Sequence, residues 1–151
     1  MKWLFLTLLG IMVLLMVGPA AAGPNEALTG TYWQAVAIDG NPAVPLPKKR
    51  EAHIIFMAEG NRVSGSTGCN RFTGTFTQTG DNLSFAPLAI TKMACPPPLD
   101  AQERAFLAAL QAITAMHLAG NTLELKDASG KVRLRLEACS AKQGISGNLL
   151  L

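Results

Sequence analysis

Beyond residue 30, apolar and polar positions alternate with a period near two along most of the chain. Residues 31–38 (TYWQAVAI) are rich in β-formers and predict a first strand. The D-G-N-P sequence at 39–42 is turn chemistry, and Pro42, Pro45 and Pro47 hold their segment in an exposed loop or sheet edge. Residues 53–57 (HIIFM) predict a second strand, 58–61 (AEGN) a hairpin turn, and 62–66 a third strand with Val63 facing inward. From 72 to 78 the alternation is clean, with Phe72, Gly74 and Phe76 on one face and Thr73, Thr75 and Thr77 on the other, the period of a half-buried strand. Leu83 and Phe85 come after a T-G-D-N turn, and residues 88–93 predict a further strand. The strictest alternation is T-L-E-L-K at 122–126 and V-R-L-R-L-E at 132–137, around D-A-S-G at 127–130, which predicts a closing hairpin.

One segment changes period. After Pro96, Pro97 and Pro98, the residues Phe106, Leu107, Leu110 and Ile113 fall at helical spacing among six alanines. They predict a helix over about 100–115, with Asp100 as N-cap and Glu103 completing a capping box. The fold class expected is mainly β (α+β), with this one helix packed on the sheet.

The first residues carry a different pattern. Lys2, an apolar run over 3–17, Gly18-Pro19 and Ala20-Ala21-Ala22 have the layout of an export signal cleaved after Ala22. The competing reading is an uncleaved N-terminal anchor, for which the apolar run is short of the roughly 20 residues a span needs. No cysteine stands at the cleavage site, so the lipid anchor of a bacterial lipoprotein is not expected. Removing Lys2 leaves 12 basic against 10 acidic side chains, a net charge of +2. That balance points away from nucleic acid, which calls for a dense basic face. The run Lys48-Lys49-Arg50 comes after P-A-V-P-L-P and reads as a solvated loop cluster, with an anionic surface as the alternative.

Three cysteines are an odd number for an exported chain. Cys69 and Cys95 border strand-like segments and are expected to pair, leaving Cys139 over. Cys69 beside Arg71 has a second reading as a reactive thiol. No C-x-x-C, zinc spacing, G-x-S-x-G elbow or phosphate loop occurs. His53 and His117 lack a motif and read as structural or surface residues. No catalytic, cofactor-binding or metal-binding residues are therefore assigned. Asn70 and Arg71 carry two readings. In one, Asn70 bonds the local backbone and Arg71 packs over the rim. In the other, Asn70, Arg71 and Lys92 form a polar recognition corner beside the disulfide.

V-S-G-S-T-G-C-N-R-F-T-G at 63–74, L-S-F-A-P-L-A-I-T-K-M-A-C-P at 83–96 and L-D-A-Q-E-R-A-F-L-A-A-L at 99–110 resemble the META domain family, which includes the bacterial heat-shock protein HslJ. L-T-G-T-Y-W at the start and L-E-L-K-D-A-S-G-K-V-R-L-R-L at the end fit it too. The resemblance implies a compact, barrel-like antiparallel sheet with a packed helix and no established catalytic activity. Members are envelope-associated or secreted and linked loosely to stress tolerance, motility and secretion. The expected organisation is a signal peptide at 1–22, a META domain at 28–138 and a tail at 139–151. The expected function is that of a noncatalytic periplasmic or secreted accessory protein, acting on an envelope protein through contacts in envelope maintenance or stress response. The alternative is a carrier that holds a lipid tail or small apolar ligand inside the barrel, and this predicts an interior wider than its side chains can fill. Neither reading calls for a cofactor or for a transmembrane span in the mature chain.

Overall fold

A computed structural model describes residues 27–47 and 50–139; residues 1–26 (with the signal expected at 1–22), Lys48, Lys49 and the tail beyond Cys139 lie outside the described residues. Its elements are β1 (Tyr32–Ile38), β2 (Asn41–Pro42), β3 (His53–Met57), β4 (Arg62–Ser66), β5 (Arg71–Thr79), β6 (Asn82–Phe85) and β7 (Ala89–Ile90). Next come α1 (Leu99–Ala112), β8 (Ile113–Ala119), β9 (Thr122–Asp127) and β10 (Val132–Ala138). Pairing runs antiparallel through β1, β3, β4, β5, β6, β8, β9 and β10, and β10 pairs back onto β1. Eight strands thus close a barrel, and β2 and β7 are short appendages on β1 and β5. Closure removes the open edges that a flat sheet exposes to other chains. The mainly β, barrel-like sheet with one packed helix is the fold that forms.

The interior obeys the alternation. Trp33, Ile54, Phe56, Val63, Phe72, Leu83, Leu123, Leu125, Leu134 and Leu136 are all buried. Two departures from strict period two have a cause. Register shifts between Ala35 and Ala37 and between Ile113 and Ala115 are β-bulges, so Ile38 and Met116 point inward where simple alternation would put their neighbours. Gly65 on β4 faces Phe72 on β5, and a Cβ there would lie 2.5 Å from the phenyl Cζ and closer still to the carbonyl oxygen of His53. The position accepts no side chain.

α1 packs on β1, β9 and β10 on one side of the ring and on β6 on the other, while Phe106 meets Phe72 of β5 at a ring separation of 5.9 Å. A helix touching strands on opposite sides of a filled barrel lies over one of its ends. Its buried stripe is Gln102, Phe106, Ala109 and Leu110. Among the described residues no helix is long and apolar enough to cross a membrane.

Three local expectations are corrected. The helix stops at Ala112, because Ile113 turns to extended geometry (φ −67°, ψ 130°) and begins β8. The ring needs a strand between β6 and β9, and β8 pairs with β9 from Ile113 to Ala119. The capping box does not form: Pro98 occupies the N-cap with no side-chain cap bond, and Asp100 sits in the first turn, bonded to the Ala101 N–H (2.7 Å) and Arg104 (3.2 Å). The strand expected at 88–93 contracts to Ala89–Ile90. Beyond it the Met93 N–H goes to the Asn70 side chain instead of to a neighbouring strand.

Candidate functional site

Cys69 lies in the turn that leads from β4 to β5, and Cys95 in the segment before α1. Their sulfurs are bonded, with the Cα atoms 6.0 Å apart. The expected pairing forms, and the reactive-thiol reading of Cys69 falls because its sulfur is in the bridge. Closing a loop of 26 positions stabilises by about 3.5 kcal/mol in the chain-entropy account. Cys139 is free and exposed, with its thiol 3.4 Å from the Gln34 amide oxygen.

Behind the bridge lies a buried polar knot. Gly68 has φ +98°, and a Cβ there would come within 2.6 Å of the Gln102 amide nitrogen. Glycine therefore lets the turn fold down onto α1. Thr67, fully buried, donates to Glu103 Oε2 (2.7 Å) and accepts from the Asn70 N–H (3.0 Å). The Asn70 side chain is 1% exposed. Its Oδ1 accepts from the Met93 N–H (2.7 Å) and Thr91 Oγ1 (3.1 Å), and its Nδ2 reaches Met93 O (3.2 Å) and both Glu103 oxygens (3.0 and 2.9 Å). Gln102 beside Glu103 donates to Thr67 O (2.9 Å) and accepts from the Val44 N–H (2.6 Å). Two consecutive helix side chains thus hold the β4–β5 turn, the Cys95 segment and the proline loop together. Cys69 Sγ, Cys95 Sγ and a Glu103 oxygen lie within 4.8 Å of one another, but with both sulfurs in the bridge only the carboxylate is a metal ligand.

In front of the bridge runs an open groove of about 680 Å³, lined among others by Arg50, Arg71, Met93, Ala94, Pro96 and Leu99. Arg71 is exposed, and its backbone is pinned to Thr91 through N–H to Oγ1 (3.0 Å) and Thr91 N–H to Arg71 O (3.0 Å). Met93 is 62% exposed, the one large apolar side chain to stand out among the described residues. Lys92 is exposed between two groove residues, although its own side chain is not part of the lining. Of the expected recognition corner, Arg71 and Lys92 are therefore at the surface, whereas Asn70 lies beneath it and holds the corner in shape.

A second depression, of about 370 Å³, shares Ser66 and Arg71 with the groove and reaches Tyr32 and His53. The Tyr32 ring stacks on the His53 ring at 4.3 Å. Tyr32 donates its hydroxyl to Glu51 Oε1 (3.1 Å), and His53 Nδ1 lies 2.9 Å from Glu51 O. Burial, and after it the neighbouring Glu51 carboxylate, pushes the Tyr32 hydroxyl well above the usual phenol range. Glu51 is 7% exposed, and its second oxygen has no hydrogen-bond partner among the described residues. His117 is exposed on β8.

The META domain family model matches residues 26–140. The chain belongs to the META domain family. Among solved structures, this META domain is similar to a protein determined by NMR, at 28% identity and a TM-score of 0.57, with 71% of this chain and 87% of that one covered. It is also similar to an NMR structure of a protein from Burkholderia xenovorans, at 26% identity and a TM-score of 0.57, covering 76% and 85%. A DUF4847 family protein from Bacteroides vulgatus shares the fold at 17% identity and a TM-score of 0.54, covering 73% and 93%. No curated protein matches the chain.

Reading the META domain from sequence missed Thr67, Gln102 and Glu103 as parts of this corner. A signal was present in α1: Gln102 stands four residues before Phe106 and Glu103 seven before Leu110, so two polar side chains border the apolar stripe. A polar pair on a buried helix face needs partners inside the fold.

Proposed function

We propose that this META domain is a noncatalytic accessory protein of the cell envelope, exported after cleavage near Ala22, that works by protein contact through the groove beside Cys69–Cys95. The observation that carries this reading is the groove itself. It sets the exposed Met93 and Arg71 on a floor held by a disulfide and by the buried Asn70–Glu103 knot. A preformed surface loses little conformational entropy when a partner docks. The disulfide supports an oxidising compartment. The commitment of Glu103 to Asn70 and Thr67 supports a noncatalytic corner, since that carboxylate is engaged in holding the turn.

The carrier alternative draws no support from the barrel interior. Trp33, Ile54, Phe56, Leu123, Leu125, Leu134 and Leu136 each have zero exposure, whereas a void wide enough for a lipid tail would leave accessible area on its lining. A photocrosslinking residue in place of Met93, in cells that make the protein, tests the contact reading. An envelope protein enriched through this position, and not through a matched position on exposed Thr77, is the expected result. Identical products from both positions would discard the reading. Mass spectrometry of the exported chain reports the cleavage near Ala22 in the same preparation.

A further inference from the structure

The groove has a charge and a shape that specify its occupant more closely. Among the described residues its charged lining consists of Arg50 and Arg71, with no Asp or Glu. Behind the floor, Glu103 is turned inward and held by Asn70 and Thr67. Both arginines are exposed, and no ion pair joins either of them to a described carboxylate. Next to them the wall is apolar, made of Met93, Ala94, Pro96 and Leu99. Ser66 and Arg71 continue into the depression that reaches Tyr32 and His53. At about 680 Å³ the groove lies within the 300–1,000 Å³ usual for small-ligand sites.

We infer that this groove receives an acidic segment of a partner protein, with carboxylates set against Arg50 and Arg71 and an adjoining apolar side chain against Met93, Pro96 and Leu99. The inference rests on the contact reading above and names the chemistry of the contact. The planar guanidinium fork matches a carboxylate with two parallel hydrogen bonds. Apolar and cationic walls side by side suit a chain in which acidic and apolar residues are neighbours. A lipid is the poorer fit, since the groove is open and the barrel interior behind it is filled, which leaves an acyl chain no enclosed apolar space. Because the disulfide and the Asn70 amide fix the floor, specificity resides in the two arginines and the apolar wall rather than in rearrangement of the loop.

The test uses the oxidised full chain and fluorescence anisotropy with a labelled ten-residue peptide alternating Glu and Leu, beside Gln/Leu and Lys/Leu counterparts. The Glu peptide is expected to bind about tenfold more tightly than the Gln peptide, and to weaken as salt rises. Arg71→Glu and Arg50→Glu are each expected to weaken it by about tenfold, because reversal removes one attraction and adds one repulsion. Arg62→Glu, exposed on β4 outside the groove lining, is expected to leave binding unchanged. Equal affinity for the Glu and Gln peptides overturns the inference without requiring any protein variant. Unchanged affinity in Arg71→Glu and Arg50→Glu overturns it as well. Arginine-dependent binding to phosphatidylglycerol vesicles with no binding of the Glu peptide reassigns the groove to a membrane surface and also overturns it. Crosslinks from position 93 that persist in Arg71→Glu cells sink the acidic-segment inference while leaving the contact reading intact; failure of the site-specific crosslinks themselves strikes the contact reading.

Discussion

Asn70 and Glu103 stand 33 positions apart in sequence, and the bond between them closes the corner from behind. An Asn is needed there because the site calls for donors toward Glu103 and the Met93 carbonyl and an acceptor toward the Met93 N–H and the Thr91 hydroxyl. Asn70→Asp would turn a second oxygen toward a carboxylate and a carbonyl. It is expected to cost about 3 kcal/mol, read from urea unfolding of the oxidised protein, whereas Arg71→Ala at the exposed surface is expected to stay within about 0.5 kcal/mol. Tyr32 offers a second check, because it is the sole tyrosine of the chain. With its folded pKa raised, its contribution to stability is complete below about pH 10 and is lost as pH climbs through the folded value. Absorbance at 295 nm should show no phenolate until the fold gives way; a free-tyrosine titration in an intact fold would contradict this. The sequence singled out Asn70 from C-N-R, yet its bonding partners were hidden. A hydrogen bond across 33 positions leaves no periodic trace, and Glu103 already had a local explanation as a capping residue.

At the scale of elements, strands with regular alternation were legible almost residue for residue. β3 and β4 lie where H-I-I-F-M and R-V-S-G-S predict them, and the closing hairpin extends by one residue in each strand. The passage from α1 to β8 was not legible, for a physical reason. Ile113 and Met116 are three apart, which is helical spacing, and a bulged strand produces the same spacing. Alanine around them favours helix, and only the vacancy between β6 and β9 in the ring decides for strand. Hydrogen exchange should accordingly find the Met116 amide protected through its bond to Asp81 O (2.8 Å), beyond the end of the helix. Phe106→Ala, which empties the contact between helix and barrel, is expected to cost about 3–5 kcal/mol by calorimetry or denaturant melting. A loss under about 1 kcal/mol would mean that α1 adds little to the fold.

Over the whole molecule, one covalent bridge and one closed ring divide the work. The ring orders the core; the bridge fixes the corner outside it. Replacing both Cys69 and Cys95 by Ser is therefore expected to lower stability by about 3.5 kcal/mol while leaving the far-ultraviolet circular dichroism of the barrel in place, and loss of the β signal would refute that division. The seam between β1 and β10 has a consequence for how the chain comes together. The earliest strand of the ring finds its last partner in the latest one, and Cys139 N–H still reaches back to Tyr32 O at 2.9 Å. A chain emerging progressively from a ribosome or a translocation channel can zip its hairpins as they appear, but it cannot shut the circle until residue 138 is clear. Until then Trp33 and its neighbours wait beside an unfilled slot, and any chaperone that escorts this polypeptide has that slot to shield.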